Sequence, residues 1–371
     1  MNLSAELTGR IEYGPGVLAD LPALVASLGQ ARAFVVTDRG LRAAGIIDRV
    51  EKILATAGLE YAVHEDVGPN PSTEELDRGA ARLKEFGAAV VVAVGGGSAL
   101  DAAKGISLLA GNPAAVAADA DTLWDAADGL PLIAVPTTSG TGAETNGFGV
   151  VEDTCARRKV YIGHASVKPK IALLDPELTL GLPARVTAAT GLDALVHGIE
   201  SLSSRGSSPL SAAYATQAIT LVGRWLPVAY RYGSDLEARS QLMFGAHLAG
   251  QALTLSGLGL VHGIGHALTA HTGTPHGVAL ASVLEEVMTF SAAAAASAYE
   301  SVARALDAGS AIEAVREISG AIEIKRPLHD LGATANQLPV IAADAVADAV
   351  TKNSPRLPSE LEVLDLLHSV Y

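Results

Sequence analysis

Apolar residues in the first half of the chain occur as short continuous runs, separated by segments with helical spacing. The runs are mainly Ala, Val, Ile and Leu, which is typical of parallel strands covered on both faces. Between them, segments 40–57 and 73–86 have a helical pattern, and the second follows Ser72 and carries acidic residues in its first turn. This alternation predicts an α/β domain with a parallel sheet. The runs that predict strands are 33–37, 88–94, 132–135 and 171–174.

The second half of the chain lacks the strand pattern. From Arg185 to Tyr371 the apolar residues follow helical spacing, interrupted by Gly, Pro and Ser. A chain of 371 residues is also longer than one hydrophobic core usually fills. We therefore predict an α/β nucleotide-binding domain over residues 1–182 and an all-helical domain over residues 183–371.

Composition and charge restrict the class of protein. Apolar residues make up 49% of the chain, yet no run approaches the length of about eighteen residues that a membrane span needs. The first residues lack the basic and apolar segments of a secretory signal. Cys155 is the only cysteine, which excludes an intrachain disulfide, and the net charge of −14 disfavours nucleic-acid binding. These features predict a cytoplasmic protein with no membrane or nucleic-acid partner.

A glycine turn follows the second of the predicted strands. Gly95, Gly96 and Gly97 let the backbone turn tightly and approach a diphosphate with no Cβ in the way. The N-terminus of the helix that follows would favour the anion. Ser98, three residues before Asp101, resembles a helix-capping pair. The alternative is an ordinary strand-to-helix turn, because glycine loops are common, and the G-x-G-x-x-G fingerprint is absent.

Two further strand ends carry polar groups suited to a nucleotide. Asp38 follows the first predicted strand, where a carboxylate can bind an adenosine ribose and repel a 2′-phosphate, favouring NAD over NADP. Asp38 also suits a helix N-cap, and the two roles are compatible. The turn after the third strand contains Thr137, Thr138 and Thr141, whose hydroxyls can donate to phosphate or ribose.

Histidines in the helical half have the spacing of metal ligands. Asp193 and His197 lie at i and i+4, on one face of a predicted helix, and His262 and His266 form a second such pair. Imidazoles and a carboxylate from separate segments suit a divalent transition metal. The alternative for each histidine is an ordinary hydrogen-bonded helix residue.

Local density favours a site over that alternative. Four of the ten histidines fall within fifteen positions, and the last of them, His276, lies between a proline and a glycine that would hold it rigidly. His247 and His271 lack comparable partners in the sequence, and we interpret them as structural.

Taken together, these motifs resemble the iron-dependent (group III) alcohol dehydrogenase family, which includes lactaldehyde reductase and butanol dehydrogenases. The resemblance covers nearly the whole chain. It implies a dehydroquinate-synthase-like fold, an NAD(P) cofactor, a divalent iron and hydride transfer between a small alcohol and nicotinamide, commonly in a homodimer or larger oligomer. The motifs are Thr37-Asp38, Gly68-Pro69-Asn70-Pro71, Gly95-Gly96-Gly97-Ser98-x-x-Asp101, Pro136-Thr137-Thr138-x-Gly140-Thr141, Asp193-Ala194-Leu195-x-His197, His262-Gly263-x-x-His266 and Pro275-His276-Gly277.

The resemblance also implies roles for individual residues in the helical half. Asp193, His197, His262 and His276 match the ligands of Fe²⁺, with Zn²⁺ also compatible with this ligand set. His266 matches a histidine that lies near the substrate and the nicotinamide without binding the metal. We assign His266 as the catalytic proton relay, and a packing or ribose-contacting role is the alternative.

In the first half the resemblance adds three cofactor contacts, Asn70, Lys159 and Thr179, and places Phe148 near the substrate pocket. The chain departs from the family around Phe148 and at His266-Ala267-Leu268-Thr269, where members often have His-Pro-Leu-Gly, so the substrate stays open. The complete predicted cofactor set, with NAD(H) preferred over NADP(H), is Asp38, Asn70, Gly95, Gly96, Gly97, Ser98, Asp101, Thr137, Thr138, Thr141, Lys159 and Thr179.

Three other functions fit parts of the pattern. A glycerol-dehydrogenase-like zinc enzyme or a maleylacetate reductase would be a sibling redox enzyme. A lyase resembling dehydroquinate synthase would need several basic groups around a phosphate-bearing substrate, and few lie near the histidines in the sequence. A non-catalytic binding protein is disfavoured, because the ligand set and the glycine turn are both complete.

Overall fold

The computed structural model of the chain describes residues 9–155 and 158–371, which form eight strands and fourteen α-helices. The strands are β1 (Arg10–Tyr13), β2 (Arg32–Val36), β3 (Glu60–His64), β4 (Val90–Gly95), β5 (Leu132–Pro136), β6 (Phe148–Asp153), β7 (Arg158–Gly163) and β8 (Ile171–Leu174). Six of them form one sheet in the order β1-β8-β5-β4-β2-β3, in which every pairing is parallel. Strands β6 and β7 pair separately as an antiparallel hairpin.

Both faces of the six-stranded sheet are covered by hydrophobic cores. Successive side chains of a strand point to opposite sides and therefore enter different cores. Phe34, Val91 and Ala93 belong to the hydrophobic core on one face, while Val35 and Val92 belong to the core on the other. This explains why the central strands lack polar alternation. The helices of this unit are α1 (Leu21–Ser27), α2 (Arg39–Ala43), α3 (Ile46–Thr56), α4 (Thr73–Phe86) and α5 (Gly97–Gly111).

The four strands predicted from apolar runs are confirmed, and so is the helix at 73–86. Ser72 and Glu75 form a capping box at its start. The single helix predicted over 40–57 is wrong in one respect. The chain forms two helices there, separated at Gly45, whose positive φ of 75° is incompatible with a continuous right-handed helix.

Four strands were not predicted. β1 is an edge strand with mostly exposed residues, and β3 is largely half-buried, so neither shows a continuous apolar run. Burial alternates along β6 of the β6–β7 hairpin, so its sequence contains no continuous apolar run.

From Ala184 onward the chain is helical, which confirms the predicted fold class. The helices are α6 (Ala184–Ser203), α7 (Pro209–Arg231), α8 (Leu236–Ser256), α9 (Leu260–Thr272), α10 (His276–Ser291), α11 (Ala296–Ala305), α12 (Ala311–Ala321), α13 (Leu338–Ala347) and α14 (Glu360–Ser369). They enclose a separate hydrophobic core. The protein thus consists of two compact units, the α/β unit and this helical unit, which contains the chain from Leu182 onward. The short segment Ser139–Gly142 also belongs to the helical unit.

Within residues 9–155 and 158–371, no single helix is long and apolar enough to cross a membrane. Helices α8 and α9 together reach the required length and composition, but they are bent by 104° relative to each other.

Candidate metal centre and nucleotide-binding loop

Helix α6 presents Asp193 and His197 on its buried face, one turn apart. Both side chains are almost fully buried, and Oδ1 of Asp193 lies 3.2 Å from Nε2 of His197. The helix packs closely here, because a Cβ at Gly191 would lie 2.3 Å from Leu226 of α7. The i, i+4 prediction therefore describes a real face of α6, directed toward the interior of the helical unit.

Helix α9 brings a second histidine to the same carboxylate. The chain bends between α8 and α9, and His262 lies in the first turn of α9. Its Nε2 is 3.3 Å from Oδ1 of Asp193, and its Nδ1 is 2.6 Å from Oε2 of Glu200. The His197 and His262 rings stack with centroids 4.8 Å apart.

His276 reaches the same carboxylate from the start of α10. Its Nε2 lies 3.9 Å from Oδ1 of Asp193. Gly277 allows this end of the helix to lie close against α6, since a Cβ there would lie 2.0 Å from the carbonyl oxygen of Ala189. The backbone at Gly277 therefore packs directly on the helix that carries Asp193, and the rigidity of the Pro275–Gly277 turn stays a prediction.

Three imidazole nitrogens therefore converge on one buried carboxylate oxygen. Ligand atoms of Asp193, His262 and His276 all lie within 4.8 Å of one another, as a metal site requires. His197 adjoins this group through Asp193 but lies outside the mutually close set. One carboxylate oxygen cannot serve as the hydrogen-bond partner of three imidazole nitrogens, whereas a divalent cation can bind the lone pairs of all these groups at once. The donor set fits a transition metal.

The ionisation states suit metal binding in most of the cluster. Burial lowers the pKa of His197 to about 4 and that of His276 to about 3, so both are neutral at neutral pH. Burial would raise the pKa of Asp193, but the neighbouring histidines, His197 first, outweigh it and keep the carboxyl ionised. Burial also lowers the pKa of His262, yet its hydrogen bonds to Asp193 and Glu200 raise it to about 9 in the metal-free protein.

In the α/β unit, the predicted glycine turn joins β4 to α5. Gly96 is the N-cap of α5 and has no side chain to cap the helix, so backbone N–H groups of its first turn can serve an anion. A Cβ at Gly95 would lie 2.5 Å from Cβ of Ala99, and one at Gly96 would lie 3.4 Å from Thr138. Glycine is therefore needed at Gly95 by close packing, independently of any ligand.

The chain matches known proteins along nearly its whole length. A profile described as "Iron-containing alcohol dehydrogenase" matches residues 8–176, and one described as "Fe-containing alcohol dehydrogenase family, C-terminal" matches residues 187–371. The chain belongs to the iron-containing alcohol dehydrogenase family. The resemblance inferred from the motifs is thus confirmed, and so is the enzyme class, an alcohol dehydrogenase or aldehyde reductase.

Individual relatives agree with this assignment. The chain is 36% identical over 358 residues to the "Probable alcohol dehydrogenase EutG" of Escherichia coli K12, covering 95% of this chain and 91% of that protein. It is similar to the crystal structure of a 1,3-propanediol oxidoreductase, with a TM-score of 0.95, 31% identity and full coverage of both chains. It is also similar to sulfoacetaldehyde reductase from Bifidobacterium kashiwanohense, solved in complex with NAD⁺, with a TM-score of 0.92, 26% identity and coverage of 100% and 99%.

His266, the predicted proton relay of this alcohol dehydrogenase, lies beside the metal-binding group. Its ring stacks on that of His276 with centroids 5.3 Å apart and lies 6.0 Å from that of His262. Its Nδ1 is 2.8 Å from Oδ2 of Asp348, and its side chain is 27% exposed. Burial would raise the pKa of Asp348, but the hydrogen bond and the electrostatic interaction with His266 lower this pKa.

The two histidines interpreted as structural have partners of their own. His247 is buried on α8 beside the amide of Gln251, at 3.1 Å. His271 pairs with Asp344 of α13 at 2.6 Å. Neither belongs to the mutually close metal-binding group found in the described part of the chain.

Asp38 lies beside the glycine turn of the dehydrogenase. Its carboxylate accepts the N–H of Leu41 at 3.0 Å, which confirms the N-cap role at α2. The same carboxylate faces the turn, because a Cβ at Gly95 would lie 3.8 Å from its Oδ2. Thr137 donates its backbone N–H to the Gly95 carbonyl at 2.9 Å. The structure therefore brings Asp38, Thr137, Thr138 and the turn together at the carboxyl ends of β2, β4 and β5.

The capping pair predicted from Ser98 and Asp101 is wrong. Ser98 instead donates its hydroxyl to the carbonyl of Pro69, which places Pro69 against the start of α5. Asp101 accepts the N–H of Val150 at 3.0 Å and pairs with Lys104. Both side chains serve tertiary contacts rather than the helix end, because partners distant in the sequence compete successfully for them.

Other predicted cofactor residues occupy different positions. Lys159 of β7 donates to Oδ1 of Asn70 at 3.0 Å, so these two predicted cofactor residues contact each other. Burial lowers the pKa of Lys159. Thr179 is fully buried and donates its hydroxyl to the Pro176 carbonyl at 2.8 Å. Thr141 belongs to the segment that groups with the helical unit.

That segment has a packing role that the sequence did not indicate. A Cβ at Gly140 would lie 2.6 Å from Thr190 of α6, and one at Gly142 would lie 2.5 Å from Gly250 of α8. The glycines of this hydroxyl-rich turn thus allow close contact between the backbone and two helices.

Phe148, the predicted substrate-pocket residue, begins β6 and contacts Tyr161 of β7 edge-on, with centroids 6.0 Å apart. Its carbonyl accepts a hydrogen bond from Lys104 at 2.6 Å.

Sequence reasoning missed Glu200, Asp348 and Lys104. Glu200 could have been found, because it lies seven residues after Asp193 and therefore on the same helix face. Asp348 and Lys104 gave no comparable signal, since their partners lie far away in the sequence or in unpredicted strands.

Proposed function

We propose that this alcohol dehydrogenase interconverts a small alcohol and its aldehyde with NAD(H), at a divalent metal held by Asp193, His197, His262 and His276. The observation that carries the proposal is the convergence of three imidazole nitrogens on one buried, ionised carboxylate. A purely structural polar cluster would satisfy these groups with complementary donors and acceptors. Here a cation is the simplest common partner.

A divalent metal bound by these groups would supply Lewis acidity, which lowers the pKa of a substrate hydroxyl and stabilises the alkoxide. Four imidazole and carboxylate ligands suit iron and zinc alike, and intrinsic affinity favours zinc. Fe²⁺ is our proposal because the family profile matches.

The protein's own residues have separate tasks in this scheme. Asp193 stays ionised and supplies negative charge, and His197 and His276 stay neutral so that their nitrogens can bind the cation. His266 carries the hydroxyl proton toward solvent, with Asp348 holding its Nδ1 side. Hydride passes directly between the carbinol carbon and the nicotinamide, so these residues orient the reactants and manage protons.

The nucleotide is proposed to bind at the glycine turn of the α/β unit. Uncapped N–H groups of α5 suit its diphosphate, and Asp38 suits the adenosine ribose. The carboxylate of Asp38 would repel a 2′-phosphate, which is the reason to prefer NAD(H) over NADP(H). The related sulfoacetaldehyde reductase was solved with NAD⁺, in agreement with this choice. Asn70, Lys159, Thr137 and the other residues of the predicted cofactor set remain proposed contacts.

The substrate is proposed to be a short alcohol or aldehyde, in keeping with the propanediol and sulfoacetaldehyde named for related structures. Phe148 is proposed to lie near its pocket. Assembly as a homodimer or larger oligomer, and a cytoplasmic location, stay predictions.

The test is an NADH-linked absorbance assay across short diols, aliphatic alcohols and hydroxy acids. The protein is stripped with a chelator and reloaded with Fe²⁺ or Zn²⁺ before the assay. We expect turnover only in the loaded protein, and none in His262→Ala. His271→Ala is the matched control, because it removes an imidazole from the same helix outside the cluster. Full turnover by metal-stripped His262→Ala would refute the proposal.

A further inference from the structure

Glu200 is a buried carboxylate of α6 that accepts three hydrogen bonds at the start of α9. It accepts the backbone N–H of Val261 on Oε1 at 2.7 Å. On Oε2 it accepts the backbone N–H of Gly259 at 3.0 Å and faces Nδ1 of His262 at 2.6 Å. A buried charge is costly, so three donors directed at one carboxylate call for a specific reason.

The first part of the reason is the helix that Glu200 caps. Helix α9 begins at Leu260 behind Gly259, an N-cap residue that has no side chain with which to satisfy the free N–H groups. Glu200, supplied by α6, accepts two of them. A carboxylate is the preferred charge at a helix N-terminus. Glu200 therefore fixes the end of the helix that carries both His262 and His266.

The second part concerns the ring of His262. Because a carboxylate can only accept, Nδ1 of His262 must carry the proton in the hydrogen bond with Glu200. In the neutral ring, Nε2 then presents its lone pair toward Asp193, 3.3 Å away. A metal-binding histidine commonly donates its other nitrogen to a carboxylate in this way, which fixes the ring and makes the ligand more basic.

The third part is the balance of charge. Asp193 and Glu200 lie on one face of α6, a spacing of seven residues, and both are almost fully buried. When the three histidines bind a cation as neutral ligands, the two carboxylates supply the two negative charges that balance a divalent ion.

We propose that Glu200 is a positioning residue of the metal centre, which orients His262 for coordination and raises the affinity of the site for divalent cations. This inference rests on the metal site proposed above. It assigns to Glu200 a role beyond capping α9, and the two roles predict different experimental results.

Glu200→Gln tests the positioning role, because glutamine keeps the size of the side chain but has only one acceptor oxygen. Placed toward Val261, the amide NH₂ would oppose a backbone N–H. Placed toward His262, it would donate to Nδ1 and leave the proton of that ring on Nε2, the nitrogen needed by the metal. Asp235→Asn is the matched control, because Asp235 caps α8 by accepting the N–H of Ala238 at 3.0 Å, far along the chain from the ligand histidines.

The measurement is the dissociation constant for Zn²⁺, obtained by competition with a chromogenic chelator in the full-length protein. Unfolding temperatures of the metal-free proteins are recorded alongside it. We expect Glu200→Gln to weaken Zn²⁺ binding about 10- to 100-fold, the range typical of such outer contacts. We expect Asp235→Asn to leave the dissociation constant unchanged and the unfolding temperature close to that of wild type, because asparagine caps a helix about as well as aspartate. Equal Zn²⁺ affinity in Glu200→Gln and wild type would overturn the inference and leave the metal site intact.

If wild type itself binds no Zn²⁺ tightly, the proposed metal site fails, which is a distinct outcome. Should Glu200→Gln not fold, the wild-type protein still decides the matter by nitrogen NMR with ¹⁵N-labelled histidine. We expect the Zn²⁺-loaded protein to show His262 protonated at Nδ1 and bound through Nε2. Coordination of zinc by Nδ1 of His262 would overturn the inference.

Discussion

Replacing Lys104 with methionine is expected to destabilise the α/β unit by about 3 kcal/mol, through loss of a buried ion pair. Lys104 lies on α5 and is fully buried. Its ammonium group donates to the Phe148 carbonyl at 2.6 Å, to Oδ1 of Asn146 at 2.8 Å and to Oδ1 of Asp101 at 3.4 Å. Three acceptors match the three N–H donors of a charged lysine. Burial lowers the pKa of Lys104 and raises that of Asp101, so the pair depends on these contacts.

The magnitude follows from what the substitution leaves behind. Methionine has a similar volume, so the cavity contribution is small. Removing one partner of a buried ion pair typically costs about 3–5 kcal/mol, because the other charge is left buried without compensation. The side chain of Asp101 is 18% exposed and also accepts the N–H of Val150. Water and this N–H therefore offset part of the stability that is lost with the Lys104 ammonium group. We therefore expect a value at the lower end of the range.

The assay is a double-mutant cycle with Asp101→Asn, followed by denaturant unfolding. The chain has two tryptophans, Trp124 in the α/β unit and Trp225 in the helical unit. A Trp225→Phe background therefore lets fluorescence report unfolding of the α/β unit alone, even if the two units unfold separately. The exposed Lys84 supplies the matched control, since Lys84→Met should change stability by less than about 0.5 kcal/mol.

The double variant should be less destabilised than the sum of the single variants, by about 1–3 kcal/mol, because the second substitution removes the charge orphaned by the first. A coupling energy near zero would refute the ion-pair argument. The affinity for NAD⁺ of Asp101→Asn is measured in parallel. If stability is unchanged and NAD⁺ binding weakens, Asp101 acts on the cofactor and not on the β6–β7 hairpin.

Three further results should follow from the site. Asp38→Gly should lower kcat/KM with NAD⁺ by about tenfold, because a charged acceptor for the ribose is lost. It should raise kcat/KM with NADP⁺, because the carboxylate that repels the 2′-phosphate is removed. An unchanged cofactor preference would argue against this role of Asp38. Zn²⁺ affinity should rise about tenfold per pH unit up to about pH 9, because the raised pKa of His262 means that the metal must displace its proton. Calorimetry at pH 7 in two buffers should show that about one proton is released per zinc ion bound. Zinc binding without proton release would contradict the assigned ionisation of His262. His266→Ala should lower kcat about 100-fold with normal zinc content, and a loss of zinc instead would make His266 a ligand.

The contribution of His262 to folding stability changes with pH in opposite directions in the metal-free and the metal-bound protein. In the metal-free protein the raised pKa of His262 stabilises the fold fully below its ordinary value of about 6.5, and this contribution is lost as the pH rises through about 9. Bound metal reverses the preference, because only the deprotonated ring can bind. The added stability from zinc should therefore grow across the same interval.

Local sequence was sufficient for the central features of this dehydrogenase. The strands around 132–135 and 171–174 and the helix at 73–86 were predictable, because burial on both faces or an amphipathic repeat is written into consecutive residues. The same holds for Asp193 and His197, which helical periodicity places on one face. The candidate metal centre could thus be recognised before any coordinates.

Tertiary structure decided which atoms satisfy these side chains. Ser98 and Asp101 have the spacing of a cap, yet the Pro69 carbonyl and the Val150 N–H bind them instead. The carboxylate of Glu200 meets His262 across 62 positions of sequence. Hydrogen bonds and ion pairs depend on distances of about 3 Å between atoms, and such distances are set by helix and strand packing, which the order of residues along one element does not contain.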